Sequence, residues 1–212
     1  MNAVESIIKK IDLLSLNVTP DEFKILAKHT NTLYVEMMKN YRSKIENVFD
    51  LPFPEFFAAH PEKHGEPGFG FLFEDMMIHQ NNWEKLDKKE NPGDAVNDNG
   101  EHIEVKYASA GYSQSGRKKL TWNHVTEDTK AQHFLLYAHD YRGDGLVYSF
   151  YLTKSQAIKM RANNKNNQIT ANITNRPNTQ WQRLQKYNIG VSDSPIVPKH
   201  LTNTRKNGRL AA

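Results

Sequence analysis

The feature that most constrains the fold is a hairpin signal within residues 92–106, which read Pro-Gly-Asp-Ala-Val-Asn-Asp-Asn-Gly-Glu-His-Ile-Glu-Val-Lys. Asn99-Gly100 is typical of a two-residue turn of type I′, because that turn needs a positive φ at both central positions. The residues from Glu101 to Ala108 then alternate between polar and apolar, as expected of a strand with one covered face. The segment therefore predicts a β-hairpin and, with it, a sheet.

The hairpin is expected to bring together three side chains that can carry chemistry. Glu104 and Lys106 share one face of the returning strand, since side chains two residues apart on a strand point the same way. The first arm carries Asp94 back beside them. The alternative for a bare Glu-x-Lys is an exposed pair in solvent, which contributes under ~1 kcal/mol. Two carboxylates and an ammonium group in one place indicate a reactive site instead.

Such a trio suits the cleavage of a phosphodiester bond. Carboxylate oxygens of Asp94 and Glu104, with the backbone carbonyl of Val105, can bind Mg²⁺, which keeps several of its own waters. The metal neutralises charge on the phosphate and lowers the pKa of a bound water. Lys106 could orient that water, or help to deprotonate it if its surroundings depress the lysine pKa.

These residues carry a family resemblance. Asp94, Glu104, Val105 and Lys106 resemble the signature of PD-(D/E)xK nucleases, and residues 94–106 are similar, without a gap, to the catalytic hairpin of PvuII-type restriction endonucleases. The resemblance implies that Asp94 and Glu104 bind the metal and that Lys106 is the catalytic lysine. Enzymes of that type place an acidic residue three positions before the aspartate, where this chain has Asn91, next to Glu90.

Length and composition set wider limits. A chain of 212 residues with 38% hydrophobic residues is expected to form one domain, or a compact domain with a helical extension. No apolar run is long enough for a membrane span, and the charged residues within Met1–Leu14 argue against a signal peptide. The absence of cysteine excludes disulfides and thiolate zinc sites. A cytoplasmic protein is the default expectation.

Basic residues predict where a polyanion would bind, although a net charge of +4 is by itself weak support for nucleic acid. Residues 111–119 form a polar, glycine-bracketed segment that reads as a loop, which could also be merely solvated. We expect phosphate contacts from its cations Arg117, Lys118 and Lys119. Positive charge also gathers near the C-terminus, where Lys199 is a further candidate DNA contact and Arg205, Lys206 and Arg209 follow.

Candidate readers of DNA sequence come from the same resemblance. PvuII-type enzymes read base edges from a histidine-rich segment between the catalytic strand and the next core strand, and Asn123 and His124 occupy a similar place without the triple histidine. An asparagine can bind adenine through two hydrogen bonds, whereas a lone histidine is more often structural. Ser192 and Asp193 stand near the position where those enzymes have an asparagine pair that reads adenine.

Periodicity predicts the remaining elements. Apolar stripes indicate helices over Ala3–Leu14 and from Pro20 through Tyr41, and a further helix over Phe71–Asn82. Glu74 on that last helix could approach the metal, but a solvated side chain is the preferred interpretation. Further strands are expected at 83–87, 95–97, 133–139, 146–152 and 169–173, and helices at 154–160 and 179–187.

Together these patterns predict an α+β fold, in which a central mixed sheet flanked by helices forms a restriction-endonuclease-like core. Residues 1–82 would be a helical N-terminal region for dimerisation or DNA wrapping, residues 83–201 the nuclease core, and residues 202–212 a basic tail. The expected protein is a homodimeric, Mg²⁺-dependent type II restriction endonuclease of a restriction–modification system, which cleaves double-stranded DNA at a palindromic site. A repair or junction-resolving nuclease, and a DNA-binding module that does not cut, are the alternatives.

Overall fold

The computed structural model describes residues 20–64, 67–87, 93–112, 118–161 and 167–203. The helices are α1 Pro20–Arg42, α2 Phe53–Ala58, α3 Pro67–Gln80, α4 Lys154–Lys159 and α5 Gln180–Leu184. Short 3₁₀ helices lie at Val48–Asp50, Pro61–Lys63, Gln185–Tyr187 and Lys199–Leu201. The strands are β1 Glu84–Lys85, β2 Ala95–Val96, β3 His102–Ser109, β4 Gly111–Tyr112, β5 Lys118–Trp122, β6 His133–His139, β7 Val147–Thr153, β8 Ile169–Asn172 and β9 Asn188–Ser192.

The strands form a six-stranded sheet in the order β1-β2-β3-β6-β7-β9 and a three-stranded sheet in the order β4-β5-β8. Only β3 and β6 pair in parallel, while every other pairing among the described strands is antiparallel. The expected mixed sheet with flanking helices is therefore confirmed. The separate small sheet was not predicted, since β4 has only two residues and β5 pairs with β8 across a long stretch of sequence.

The predicted hairpin forms, but its turn is of another type. Strands β2 and β3 pair with Ala95 opposite Ile103. The Gly100 N–H donates to the Asn97 carbonyl at 3.0 Å, and within this turn only Gly100 has a positive φ, of 76°. The connection is thus a three-residue loop, 98–100, rather than the two-residue type I′ turn. The Asn97 side chain favours it by accepting from the backbone N–H groups of Asn99 and Glu101, each at 3.0 Å.

The six-stranded sheet is covered on both faces. Ile103, Val105, Leu135 and Tyr137 point to one face, where they pack against residues of α2 and α3. Residues of β5, α4 and α5 cover the other face together with alternate side chains of β6 and β7. The residues from Phe53 onward therefore share a core with the strands that follow residue 83.

Helix α3 begins at Pro67, four residues before the predicted start at Phe71. Proline is well accepted in the first helical turn, because its missing N–H has no intrahelical partner there. Gly68 and Gly70 lie within the helix, although glycine is unfavourable in a helix interior. The earlier start adds Phe69, which is 1% exposed, to the buried face of α3.

Helix α1 contacts the domain along one side. The Tyr34 hydroxyl donates to the Ala58 carbonyl at 3.2 Å, and the Arg42 guanidinium pairs with Glu62 at 2.8 Å. Leu33, Met37 and Tyr41 point away from that contact and are 48%, 56% and 41% exposed. The predicted apolar stripe therefore has one covered line and one uncovered line.

Among the described residues, none of the helices combines the length and the apolar character that a membrane span requires.

The buried His139, which pairs with Tyr107, makes stability depend on pH. The Tyr107 hydroxyl and Nδ1 of His139 form a hydrogen bond of 2.8 Å, and burial lowers the pKa of His139 to about 4. The unfolded chain takes up a proton near pH ~6.5, whereas the folded chain resists it down to about pH 4. This contribution is therefore fully present above pH ~6.5 and is lost as the pH falls toward 4.

We expect the free energy of unfolding to fall by about 2 kcal/mol more in the wild type than in His139→Gln between about pH 7.5 and about pH 5. Glutamine can accept from Tyr107 but does not titrate. Urea unfolding of both proteins at the two pH values measures this difference. Burial also lowers the pKa values of His60 and His64, but both proteins contain these residues, so their contribution cancels in the comparison. Equal pH dependence in the two proteins would contradict the assignment.

Candidate active site

The structure brings Asp94, Glu104 and Lys106 together on the hairpin. Nζ of Lys106 lies 3.6 Å from Oδ2 of Asp94 and contacts Oε1 of Glu104. All three side chains are largely buried, with exposed fractions of 5%, 8% and 14%. The register explains the convergence, because Ala95 lies opposite Ile103 and the residue before it therefore comes beside Glu104.

Backbone hydrogen bonds set the position of Asp94. Its N–H donates to the Ile103 carbonyl at 2.9 Å, and its Oδ2 accepts from the Val105 N–H at 2.9 Å. The preceding residue, Gly93, has a φ of 101°, which residues with a side chain rarely adopt. A Cβ there would lie 2.9 Å from the Ile103 carbonyl oxygen and 3.2 Å from Cβ of Ala131. Glycine is thus required for the chain to enter the hairpin along this path.

Gly93→Ala is expected to lower the free energy of unfolding by about 3 kcal/mol, since backbone strain and a backbone contact add together. Gly100→Ala is the matched control, because Gly100 also has a positive φ, of 76°, but a Cβ there meets nothing within 4 Å. The control should lose only about 1 kcal/mol. Urea unfolding measures the free energy of unfolding of both variants. Equal losses would mean that the close contact between the new Cβ and the Ile103 carbonyl is relieved at no cost in stability.

The charge of Lys106 is determined by its surroundings. Burial by itself lowers the pKa of the ammonium, but the charges of Asp94, Glu104 and Glu74 outweigh burial and raise the pKa above its ordinary value. Lys106 is therefore protonated in this arrangement. A role in deprotonating water would need a depressed pKa, so the raised pKa favours the other expected role of Lys106, which is to orient the water. What remains is a fixed positive charge between two carboxylates.

Glu74 is buried, at 9% exposed, so the preferred interpretation of a solvated side chain is wrong. Helix α3 packs across the hairpin, and its buried Phe73 and Met76 carry the intervening glutamate into the protein. Its charge contributes to the raised pKa of Lys106. The sequence held a signal for this burial, because a helix with apolar residues on most sides is usually enclosed. Glu90 and Asn91 lie outside the described residues.

The donor atoms at this site fit Mg²⁺. The carboxylates of Asp94 and Glu104 lie close together, and one cationic group, Nζ of Lys106, forms an ion pair with each of them. Carboxylate oxygens are ligands that Mg²⁺ prefers, and the ion needs few of them because it keeps several waters. Within the described ranges no three His, Cys, Asp or Glu side chains form a metal-binding group. The candidate ligands therefore remain the two carboxylates and the Val105 carbonyl.

Two of the predicted phosphate contacts lie on a strand rather than on a loop. Lys118 and Lys119 begin β5, where they pair with Tyr112 and Gly111 of β4, and β5 also pairs with β8. The Lys118 ammonium binds the buried carboxylate of Asp140. Lys119 is exposed. Arg117, the remaining predicted contact of this group, lies outside the described residues.

The candidate base readers fall into two separate places. Asn123 and His124 are exposed and follow β5 directly, with His124 at a φ of 59°. Ser192 ends β9, where its hydroxyl contacts the Ser194 backbone, and Asp193 is exposed beside it. The exposed Lys199 begins the last 3₁₀ helix.

The distance from β9 to the carboxylates follows from the sheet geometry. Strand β9 is three strands away from β3, and Ser192 pairs with Val147, at the opposite end of β7 from Leu152, which lies level with Glu104. At a strand spacing of about 4.8 Å and a rise of about 3.4 Å per residue, Ser192 and Glu104 are roughly 20 Å apart. The structure therefore does not bring Ser192 and Asp193 to the carboxylate pair.

No protein-family model matches this sequence, and no curated protein matches it. The inference of function therefore depends on the chemistry of the site. Its central observation is the convergence of two buried carboxylates with a protonated lysine at a hairpin.

Proposed function

We propose that this chain is a Mg²⁺-dependent endonuclease that cleaves double-stranded DNA at a specific, palindromic site. It would be a type II restriction endonuclease of the PD-(D/E)xK superfamily, which its hairpin resembles. The observation that carries the proposal is the meeting of Asp94, Glu104 and Lys106, all largely buried, on one hairpin. A solvated Glu–Lys pair, the alternative for this motif, would not show that burial.

Each residue has a distinct role in the proposal. Asp94 and Glu104 hold Mg²⁺, with the Val105 carbonyl as a third ligand. The bound ion supplies charge neutralisation at the phosphate and a water of lowered pKa. Lys106, which keeps its proton beside the carboxylates, orients the attacking water and stabilises negative charge that develops on the phosphate. Glu74 adds a further negative charge from α3.

The proposed DNA contacts divide between positioning and reading. Lys119, Arg117 and Lys199 would contact phosphates, and Lys118 would join them only by leaving Asp140. Asn123, His124, Ser192 and Asp193 would contact base edges. At about 3.4 Å per base pair, a separation of roughly 20 Å corresponds to about six base pairs. Ser192 and Asp193 would therefore read bases some distance from the phosphate that is cleaved.

We propose a homodimer, because cutting both strands of a palindrome needs two active sites related by a two-fold axis. The uncovered line of α1, formed by Leu33, Met37 and Tyr41, is a candidate contact, since residues four apart lie on one face of a helix. Light scattering at micromolar concentration should show a dimer for the wild type. Met37→Glu should shift it to monomer.

Lys39→Gln is the matched control for this prediction. It lowers the net charge by the same amount as Met37→Glu, and it lies on the side of α1 away from Met37. This variant should remain dimeric. A wild type that is monomeric yet makes double-strand breaks would contradict the dimer, and a dimeric Met37→Glu would move its interface elsewhere.

Digestion of plasmid DNA tests the proposed function. With Mg²⁺ the purified protein should give a defined set of fragments, and mapping their ends should reveal one recurring sequence; EDTA should abolish the pattern. Cleavage that is confined to branched or damaged DNA would favour the repair or junction-resolving alternative. Binding without cleavage, at any Mg²⁺ concentration, would favour the DNA-binding module.

A further inference from the structure

The C-terminal segment returns across the sheet to the catalytic hairpin. After β9, the Ile196 N–H donates to the Ser149 hydroxyl at 3.0 Å, and the Tyr137 hydroxyl donates to the Ile196 carbonyl at 3.1 Å. Further on, Nε1 of Trp83 donates to the Leu201 carbonyl at 2.6 Å. The chain therefore passes from the β9 edge of the sheet to the β1 edge.

Asn203 ends this path with three hydrogen bonds. Its N–H donates to the Asn81 carbonyl at 3.3 Å, and its Nδ2 donates to the Asn82 carbonyl at 2.8 Å. Its Oδ1 accepts from the Asp98 N–H at 2.8 Å. These bonds fix Asn203, the second residue of the predicted basic tail, to the domain.

The partners of Asn203 lie together at one end of a weakly paired edge, because β1 and β2 are antiparallel. Asn81 and Asn82 precede β1, and Asp98 lies in the turn that follows β2. Strands β1 and β2 have two residues each and share two residue pairs. Short strands supply few ladder hydrogen bonds, so the position of this edge depends on contacts outside the ladder, such as those that Asn203 makes at this end.

Asp94 belongs to that edge. It directly precedes β2, and its carbonyl accepts from the Leu86 N–H at 3.1 Å. Asp98 is four residues further along the chain, which corresponds to about 13 Å of strand. Asn203 therefore does not contact the candidate metal ligands, and any effect it has on Asp94 passes through the hairpin arm.

We propose that Asn203 is a positioning residue, which holds the arm of the catalytic hairpin so that Asp94 keeps its place beside Glu104. Its catalytic consequence depends on the proposed function, whereas its effect on the hairpin does not. The three hydrogen bonds of one side chain and its backbone join the chain entering β1 to the turn leaving β2. Loss of the side chain removes two of them.

Amide hydrogen exchange measured by NMR tests the proposal without reference to activity. In Asn203→Ala the N–H groups of Asp98 and Val105 should exchange at least about tenfold faster under native conditions, because Val105 donates to Asp94. Thr202→Ala is the matched control, since the exposed Thr202 hydroxyl donates to the Lys199 carbonyl and not to the hairpin. It should leave both amides unchanged.

Other exchange patterns overturn the proposal. Faster exchange at Asp98 alone would show that the bond is local and that Asp94 does not depend on it. A uniform increase that includes the central strand β6 would show global destabilisation instead. Asn203→Asp keeps the acceptor for the Asp98 N–H, and it should restore most of the protection at both amides; failure to do so would also count against the mechanism.

The effect on catalysis is measured as single-turnover cleavage at a series of Mg²⁺ concentrations. Asn203→Ala should need several-fold more Mg²⁺ for its half-maximal rate, approach the wild-type rate at saturating Mg²⁺, and bind DNA normally. A lower rate that Mg²⁺ does not restore would overturn positioning through Asp94. If the wild type cleaves no DNA, the proposed function fails, while the exchange result still decides whether Asn203 holds the hairpin.

Discussion

Lys106→Met is expected to lower the rate of DNA cleavage by about 10³-fold or more while DNA binding persists. Methionine keeps much of the aliphatic length of the buried side chain and removes the charge that lies between Asp94 and Glu104. If Lys106 orients water and stabilises charge on the phosphate, the loss appears in the chemical step. Single-turnover cleavage with saturating protein and Mg²⁺ measures that step, and a gel-shift titration measures binding.

The same variant has a second readout, which guards against misfolding as the cause. Without Lys106, Asp94 and Glu104 are buried without their cation, so the free energy of unfolding should fall when Mg²⁺ is absent. Added Mg²⁺ should restore much of the stability, because binding to the folded state alone stabilises it. Near-normal cleavage by Lys106→Met would remove this lysine from the active site.

Asp94→Asn and Glu104→Gln should each lower cleavage by about 10³-fold or more, through loss of the metal rather than of the ammonium. Both changes replace a carboxylate with an amide of nearly the same size, so packing is little altered. Binding of Mn²⁺, followed by electron paramagnetic resonance, should weaken in both variants. Lys106→Met should still bind Mn²⁺, which separates the ligands from the lysine.

Glu101→Gln is the matched control for these two variants. Glu101 lies on the same hairpin and undergoes the same chemical change, but its carboxylate accepts from Asn97 at 2.8 Å and lies 3.3 Å from His133. Its cleavage rate and Mn²⁺ affinity should stay within a few-fold of the wild type. Losses equal to those of Asp94→Asn would show that any charge removed from the hairpin disables the protein.

The existence of the hairpin could be predicted from the sequence because its causes are local. Alternation in Glu101–Ala108 places Ile103 and Val105 on one face and Glu104 on the other whatever surrounds the strand. A turn near Asn99-Gly100 returns Asp94 to the same face. The helix expected from residue 154 is likewise confirmed, and a local capping box formed by Thr153 and Gln156 begins it. Even the error in turn type is local, since the Asn97 side chain selects the longer loop.

Local sequence pattern was enough to predict which residues the hairpin brings together, but not the further charge that Glu74 adds beside Lys106 or the bonds that hold the hairpin in place. Asp94 and Glu104 on the hairpin raise the pKa of Lys106 most, and Glu74 adds to them because α3 packs across the hairpin. The pairing of Lys118 with Asp140 and the bond from Asp98 to Asn203 join residues 22 and 105 positions apart. Periodicity reports on neighbours along one strand or helix, and contacts of this kind arise only when separate elements meet.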